Sequence, residues 1–137
     1  MPVPDLITYI KNEFDAIWNT HDTDAVMQRF AADGIVKPTP PLPGTPEVFH
    51  GKEQIRGFVQ MLMPNFHVES QDFEQDGDKV TWHAMVTSDT IRRLGVDSLS
   101  ADCEAIVQNG KIKLFAPTFT VETVAQLQAA AQIVRGL

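Results

Sequence analysis

A chain of 137 residues with eleven Lys and Arg against eighteen Asp and Glu carries a net charge of −7. That balance argues against nucleic acid and anionic membrane as partners, because both demand a positive surface. The length suffices for one domain, residues 1–137, to bury a core without disulfide or metal, and the single cysteine, Cys103, excludes an internal disulfide.

The first residues show no basic segment followed by an apolar run, and no stretch approaches the ~20 apolar residues of a membrane span. With one free thiol, a cytoplasmic location is the expectation. Asp5 is placed to cap a first helix, with Leu6, Ile10, Phe14 and Ile17 at helical spacing and Trp18 extending the stripe. Asp22 or Thr23 caps a shorter second helix that carries Val26, Met27 and Phe30 and ends by Asp33-Gly34. Residues 37–50 hold five of the nine prolines, which predicts a long covering loop without regular structure.

A third helix over 52–63 groups Ile55, Phe58, Val59 and Leu62 on one side and stops at Pro64. Alternation then replaces the helical period. A strand begins at Phe66 and Val68 and reaches about Phe73, and Asp76-Gly77 turns the chain. The next strand sets Val80, Trp82, Ala84 and Val86 against Thr81, His83, Met85, Thr87 and Asp89. After a loop through Gly95, Leu99, Ala101, Cys103, Ala105 and Val107 alternate with Ser100, Asp102, Glu104 and Gln108. Asn109-Gly110 is a hairpin signal, because a tight turn there needs positive φ at both residues. A last strand over 111–119 leads to a closing helix capped by Thr120, with Val124, Leu127, Ala131 and Val134 as its stripe. Helices first and then at least four antiparallel strands mean an α+β fold.

Trp18-Asn19-Thr20-His21-Asp22, Phe30-Ala31-Ala32-Asp33, Gly51-Lys52 with Ile55-Arg56-Gly57-Phe58, and Asn109-Gly110-Lys111-Ile112 follow one another in a telling order. In this respect the chain resembles the nuclear-transport-factor-2-like superfamily, which includes steroid isomerases, SnoaL-like polyketide cyclases and epoxide hydrolases. The resemblance implies a cone: a bent antiparallel sheet wrapped around N-terminal helices, with a C-terminal helix and a pocket open at one end. Fold alone does not assign chemistry, so function is argued from the site.

The catalytic positions of those relatives fall here on inert side chains. The isomerase tyrosine falls on Phe14, its base on Pro38 or Thr39, and its second acid near Cys103. The hydrolase positions fall on Ala84, Val86 and Pro117, or with a one-residue slip on His83, Met85 and Ala116 or Thr118. The cyclase carboxylate falls among Phe115, Ala116 and Pro117. Asp102 and Glu104 share a strand face, but it is the polar one and reads as solvated. His21, His50, His67 and His83 have no metal-binding spacing, so no metal or other cofactor is expected.

The expectation is therefore a domain that binds a small hydrophobic molecule, with no catalytic residue of the known kinds. Its pocket is expected from Phe14, Trp18, Phe58, Leu62, Trp82, Ala84, Val86, Cys103, Ala105, Phe115 and Phe119. The alternative is an isomerase, cyclase or epoxide-hydrolase-like enzyme with relocated groups such as His50, His67 or Asp72. A homodimer through Thr81, His83, Met85 and Thr87, the outer face of the sheet, is also expected.

Overall fold

The structure, a computed structural model, describes residues 5–41 and 45–135, with side chains as far as residue 130. Helix α1 joins an α-turn at Leu6–Tyr9, a π-helical stretch at Ile10–Asp15 and a last α-turn at Ala16–Trp18. Asp5 caps it by accepting from the Thr8 amide at 3.0 Å, so one otherwise orphaned donor is satisfied. Helix α2 (Thr23–Met27) is capped in the same way by Asp22. Then follow β1 (Phe30–Val36), β2 (Phe49–His50), α3 (Gly51–Leu62), β3 (His67–Asp76) and β4 (Lys79–Thr87). Helix α4 (Asp89–Arg93), β5 (Leu99–Gln108), β6 (Lys111–Phe119) and α5 (Val121–Arg135) complete the described chain. Among the described residues, no helix is long and apolar enough to cross a membrane.

The strands form one open, curved sheet in the order β2-β1-β6-β5-β4-β3. The α+β plan of N-terminal helices, bent sheet and C-terminal helix is as expected. Every pairing is antiparallel except that of β1 with β6, which is parallel. That exception comes from a segment expected as helix. The second helix stops at Met27 and does not reach Asp33-Gly34; Phe30–Val36 is a strand. Pairing with β6 and complete burial of Phe30 and Val36 outweigh the weak helical preference of the Ala-Ala-Asp-Gly stretch between them.

Two loops carry more order than their composition suggests. The loop toward Gly95 contains α4, whose Ser88 cap accepts from the Ile91 amide; five residues are too few to show a period. The proline-rich segment runs beside β6. The Lys37 and Thr39 amides donate to Phe115 and Pro117, and Phe119 donates back to Thr39. Pro38 and Pro40 alternate with these donors, so their missing amides cost no bond to β6. Pro43 and Gly44 lie outside the described residues, as do the side chains of Ala131 and Val134. The described part of α5 buries Thr123, Leu127 and Ala130, with Val124 half-buried.

The alternation along β4 and β5 holds in three dimensions. Val80, Trp82 and Ala84 are buried, as are Leu99, Ala101, Cys103, Ala105 and Val107. The Asn109-Gly110 turn has φ of 55° and 72°, which sets β6 in register with β5.

The Trp18–Asp22 motif also has a structural task. Asn19 Nδ2 donates to the Val68 carbonyl at 3.1 Å, and its Oδ1 accepts from the Val68 amide at 2.8 Å. His21 Nε2 lies 2.6 Å from the Phe66 carbonyl. The end of α1 thus replaces a missing strand partner at the start of β3, which is the sheet edge. Asn19→Ala should cost about 2 kcal/mol, because two bonds go and both backbone groups of Val68 lose their partner. Urea unfolding with an unchanged slope measures it; a change within error of zero would refute this role.

Candidate functional site

The inner face of the sheet has more area than α1 and α3 cover. Between them lies a recess of about 60 Å³. Ten of the side chains expected at a pocket border it: Phe14, Trp18, Phe58, Leu62, Trp82, Ala84, Val86, Cys103, Phe115 and Phe119. Ala105 does not; it is fully buried one row further along β5, opposite Val80 and Phe115. Phe66, Val68, Leu99, Ala101 and Pro117 also border the recess.

Aromatic packing gives these walls their shape. Trp82 and Phe115 lie nearly parallel with centroids 6.0 Å apart, and Phe73 stacks on Trp82 at the same distance. Phe14 meets Phe115 edge-on at 5.3 Å, while Trp18 tilts against Phe66 at 4.5 Å. Such pairs are worth about 0.5–1.5 kcal/mol each beyond their burial. Phe73 reaches Trp82 because β3 carries one extra residue between Gln71 and Glu74, where Asp72 takes φ of 60°.

One of the wall residues outside the sequence expectation carries a charge. Asp15, directly after Phe14 on α1, borders the recess. In an α-helix Ile10, Phe14 and Trp18 drift round the axis, and the residue after Phe14 is carried well toward solvent. The wide turn at Ile10–Asp15, marked by the Ala16 amide bonding back to Lys11, holds more residues. The stripe then stays in line, and Asp15 remains on the side of the recess. This departure from α geometry accompanies the entry of the carboxyl, and residue types do not announce it.

Burial pushes the Asp15 carboxyl from its ordinary 3.8 up to about 6, weakly opposed by Ser70. Ser70 lies on the inner face of β3 opposite Ala84, and its buried Oγ makes no hydrogen bond of good geometry. Burial pushes the Cys103 thiol up as well, assisted by the negative charges of Asp15 and Asp102. A thiol held protonated in this way is not a nucleophile near neutral pH.

The other candidates lie elsewhere. Asp102 and Glu104 point outward, where His83 Nδ1 is 3.1 Å from Asp102 and Lys79 is 3.4 Å from Glu104. His50, His67 and Asp72 are exposed, and His67 sits 3.4 Å from Glu69. None of the three borders the recess. Among the described residues, no group of three or more His, Cys, Asp or Glu is arranged to hold a metal ion. What the recess can do chemically is enclose a small apolar body and present one carboxyl to it.

Asp15 also makes stability depend on pH. Its folded value lies above its unfolded one, so its contribution is complete below about pH 4 and is lost as pH rises through about 6. A shift of this size corresponds to roughly 3 kcal/mol. Asp15→Asn, neutral throughout, should therefore be more stable than the parent above about pH 7 by up to that amount, and equal to it below about pH 4. Urea unfolding of both proteins across this range tests the linkage; a difference that does not change with pH would contradict it.

Known proteins share this fold. A family model for the SnoaL-like domain matches residues 12–114. Comparison with the curated proteins finds no match. Among solved structures, RV0760c from Mycobacterium tuberculosis, in complex with estradiol-17beta-hemisuccinate, superposes with a TM-score of 0.69 at 15% identity. The match covers 89% of this chain and 98% of that one. A protein of ketosteroid-isomerase-like fold from Catenulispora acidiphila, in complex with trimethylamine, gives 0.65 at 21% identity over 93% and 95%. A computationally designed 17-OHP binder gives 0.72 at 14% identity over 90% and 95%. At such identities these structures share the fold alone. The family match over residues 12–114, on a bent sheet closed by N-terminal helices, places this chain in the SnoaL-like family of the nuclear-transport-factor-2-like fold.

Proposed function

We propose that this domain binds a small hydrophobic molecule in the recess between α1, α3 and the inner face of the sheet. The observation that carries this reading is the wall itself: aromatic and aliphatic side chains from six elements converge there around a single carboxyl. Concave apolar sites with few polar groups are the usual form of small-molecule sites. Solved structures of the same fold that hold a steroid ester or trimethylamine support it by analogy. A void of about 60 Å³ has room for about four water-sized groups, so a small ligand fits without rearrangement.

A second reading has one specific observation in its favour. A carboxyl shifted to about 6 exchanges a proton near neutral pH, as a general acid or base must. Asp15 would then act on a substrate such as a small ketone, in the manner of the isomerases. One experiment separates the two. Cyclopentanone titrated in heavy water should quench Trp18 and Trp82 fluorescence saturably, with α-proton exchange no faster than in buffer. Exchange accelerated by the protein and abolished by Asp15→Asn would establish the enzyme, and no saturation at all would remove the binding reading.

The same proposal includes a homodimer through the outer face of β4. Met85 is 47% exposed there beside Thr81, His83 and Thr87, a half-apolar surface suited to a two-fold contact. Light scattering at tens of micromolar should give twice the chain mass; a monomer would count against the contact.

A further inference from the structure

From the geometry of the recess we infer that its preferred occupant is a small alkylated ammonium ion, paired with Asp15 and enclosed by the surrounding rings. This rests on the binding reading above and narrows its ligand class. Size comes first. A void that holds a few water-sized groups matches a nitrogen bearing three or four methyl groups in size.

Charge comes second. Among the described residues, Asp15 and Cys103 are the only ionisable side chains bordering the recess, and no Lys, Arg or His does so. At neutral pH the Asp15 carboxyl is mainly ionised, yet no cation among the described residues balances it. A neutral occupant would strip water from that charge and return nothing, and an anionic one would be repelled. A cation restores the balance.

The kind of cation follows from the remaining wall. Hard metal ions need several oxygen ligands, and the recess presents one carboxylate with the Ser70 hydroxyl behind it. Phe14, Trp18, Phe66, Trp82 and Phe115 instead supply much of its border. Aromatic rings attract alkylammonium groups through their quadrupoles while their hydrocarbon accommodates the methyls. A carboxylate within an aromatic enclosure is thus complementary to both parts of such an ion.

Binding should then depend on the ionisation of Asp15. The groups facing it are Ser70 from β3 and Cys103 from β5, which stay neutral across the range used here. Trp82 and Ala84 from β4, Phe115 and Pro117 from β6, and Phe58 and Leu62 from α3 carry no charge.

The test compares tetramethylammonium with tert-butanol, a neutral molecule of nearly the same size and shape, by amide NMR titration of the full chain. At about pH 8 tetramethylammonium should bind at least tenfold more tightly than tert-butanol. Its affinity should fall about tenfold per unit below about pH 6, whereas that of tert-butanol should not. Asp15→Asn should abolish the preference and spare tert-butanol binding. Should that variant fail to fold, the pH dependence of the parent decides alone. Equal, pH-independent binding of the two probes would overturn this inference and leave the hydrophobic-binding reading standing. Absence of binding by either probe would overturn both.

Discussion

A bent sheet has a concave inner face that no strand can cover, and here α1 and α3 share that task. On α1 it falls to Ile10, Phe14 and Trp18, all nearly inaccessible to solvent. An α-helix rotates such a four-residue stripe one way, and the π-helical stretch, with more residues per turn, rotates it the other way and offsets that drift. The packing that closes the core therefore imposes the wide turn. The turn is braced from outside: Arg29 donates to the Glu13 carbonyl at 3.1 Å and pairs with its carboxylate at 2.9 Å. The start of the helix is tied down as well, with the Leu6 amide on Gln75 and the Tyr9 hydroxyl on the Gly110 carbonyl.

The position of Asp15 follows from that geometry. Keeping a carboxylate in an apolar recess costs roughly 3 kcal/mol at neutral pH, about what complete burial of one Phe or Leu side chain returns. Phe14 and Trp18, its neighbours on the stripe, offset the cost together with the rings they meet on Phe30, Phe58, Phe66 and Phe115. The fold can hold a destabilising charge because the aromatic cluster around it is large. Destabilising groups retained in this way concentrate at functional sites.

Of the catalytic positions suggested by family resemblance, Phe14, Ala84, Val86, Cys103 and Pro117 border the recess, whereas Pro38 and Thr39 do not. None of the five that border it carries a carboxyl. The one carboxyl in the wall comes instead from the residue after Phe14. Positional transfer compares like with like only where the backbone keeps its register, and the wide turn in α1 changes which side chain reaches the interior.

Period and turn chemistry in the sequence determined most of the fold. Strict alternation on β4 and β5 assigned Trp82, Ala84, Ala101 and Cys103 to the inner face, since a strand whose faces differ in polarity has one favourable orientation. Asp5, Asp22 and Thr120 located helix starts, and Asn109-Gly110 set the last hairpin, because caps and tight turns are local events. Tertiary structure alone decided three things. Phe30–Val36 became a strand because β6 offered a parallel partner nearly eighty residues away in sequence. Phe73 stacks on Trp82 because a bulge in β3 turned it toward that ring. Asp15 borders the recess from the π-helical stretch of α1 that packs on the curved sheet. Each depends on surfaces brought together only by folding, and no window of neighbouring residues contains both.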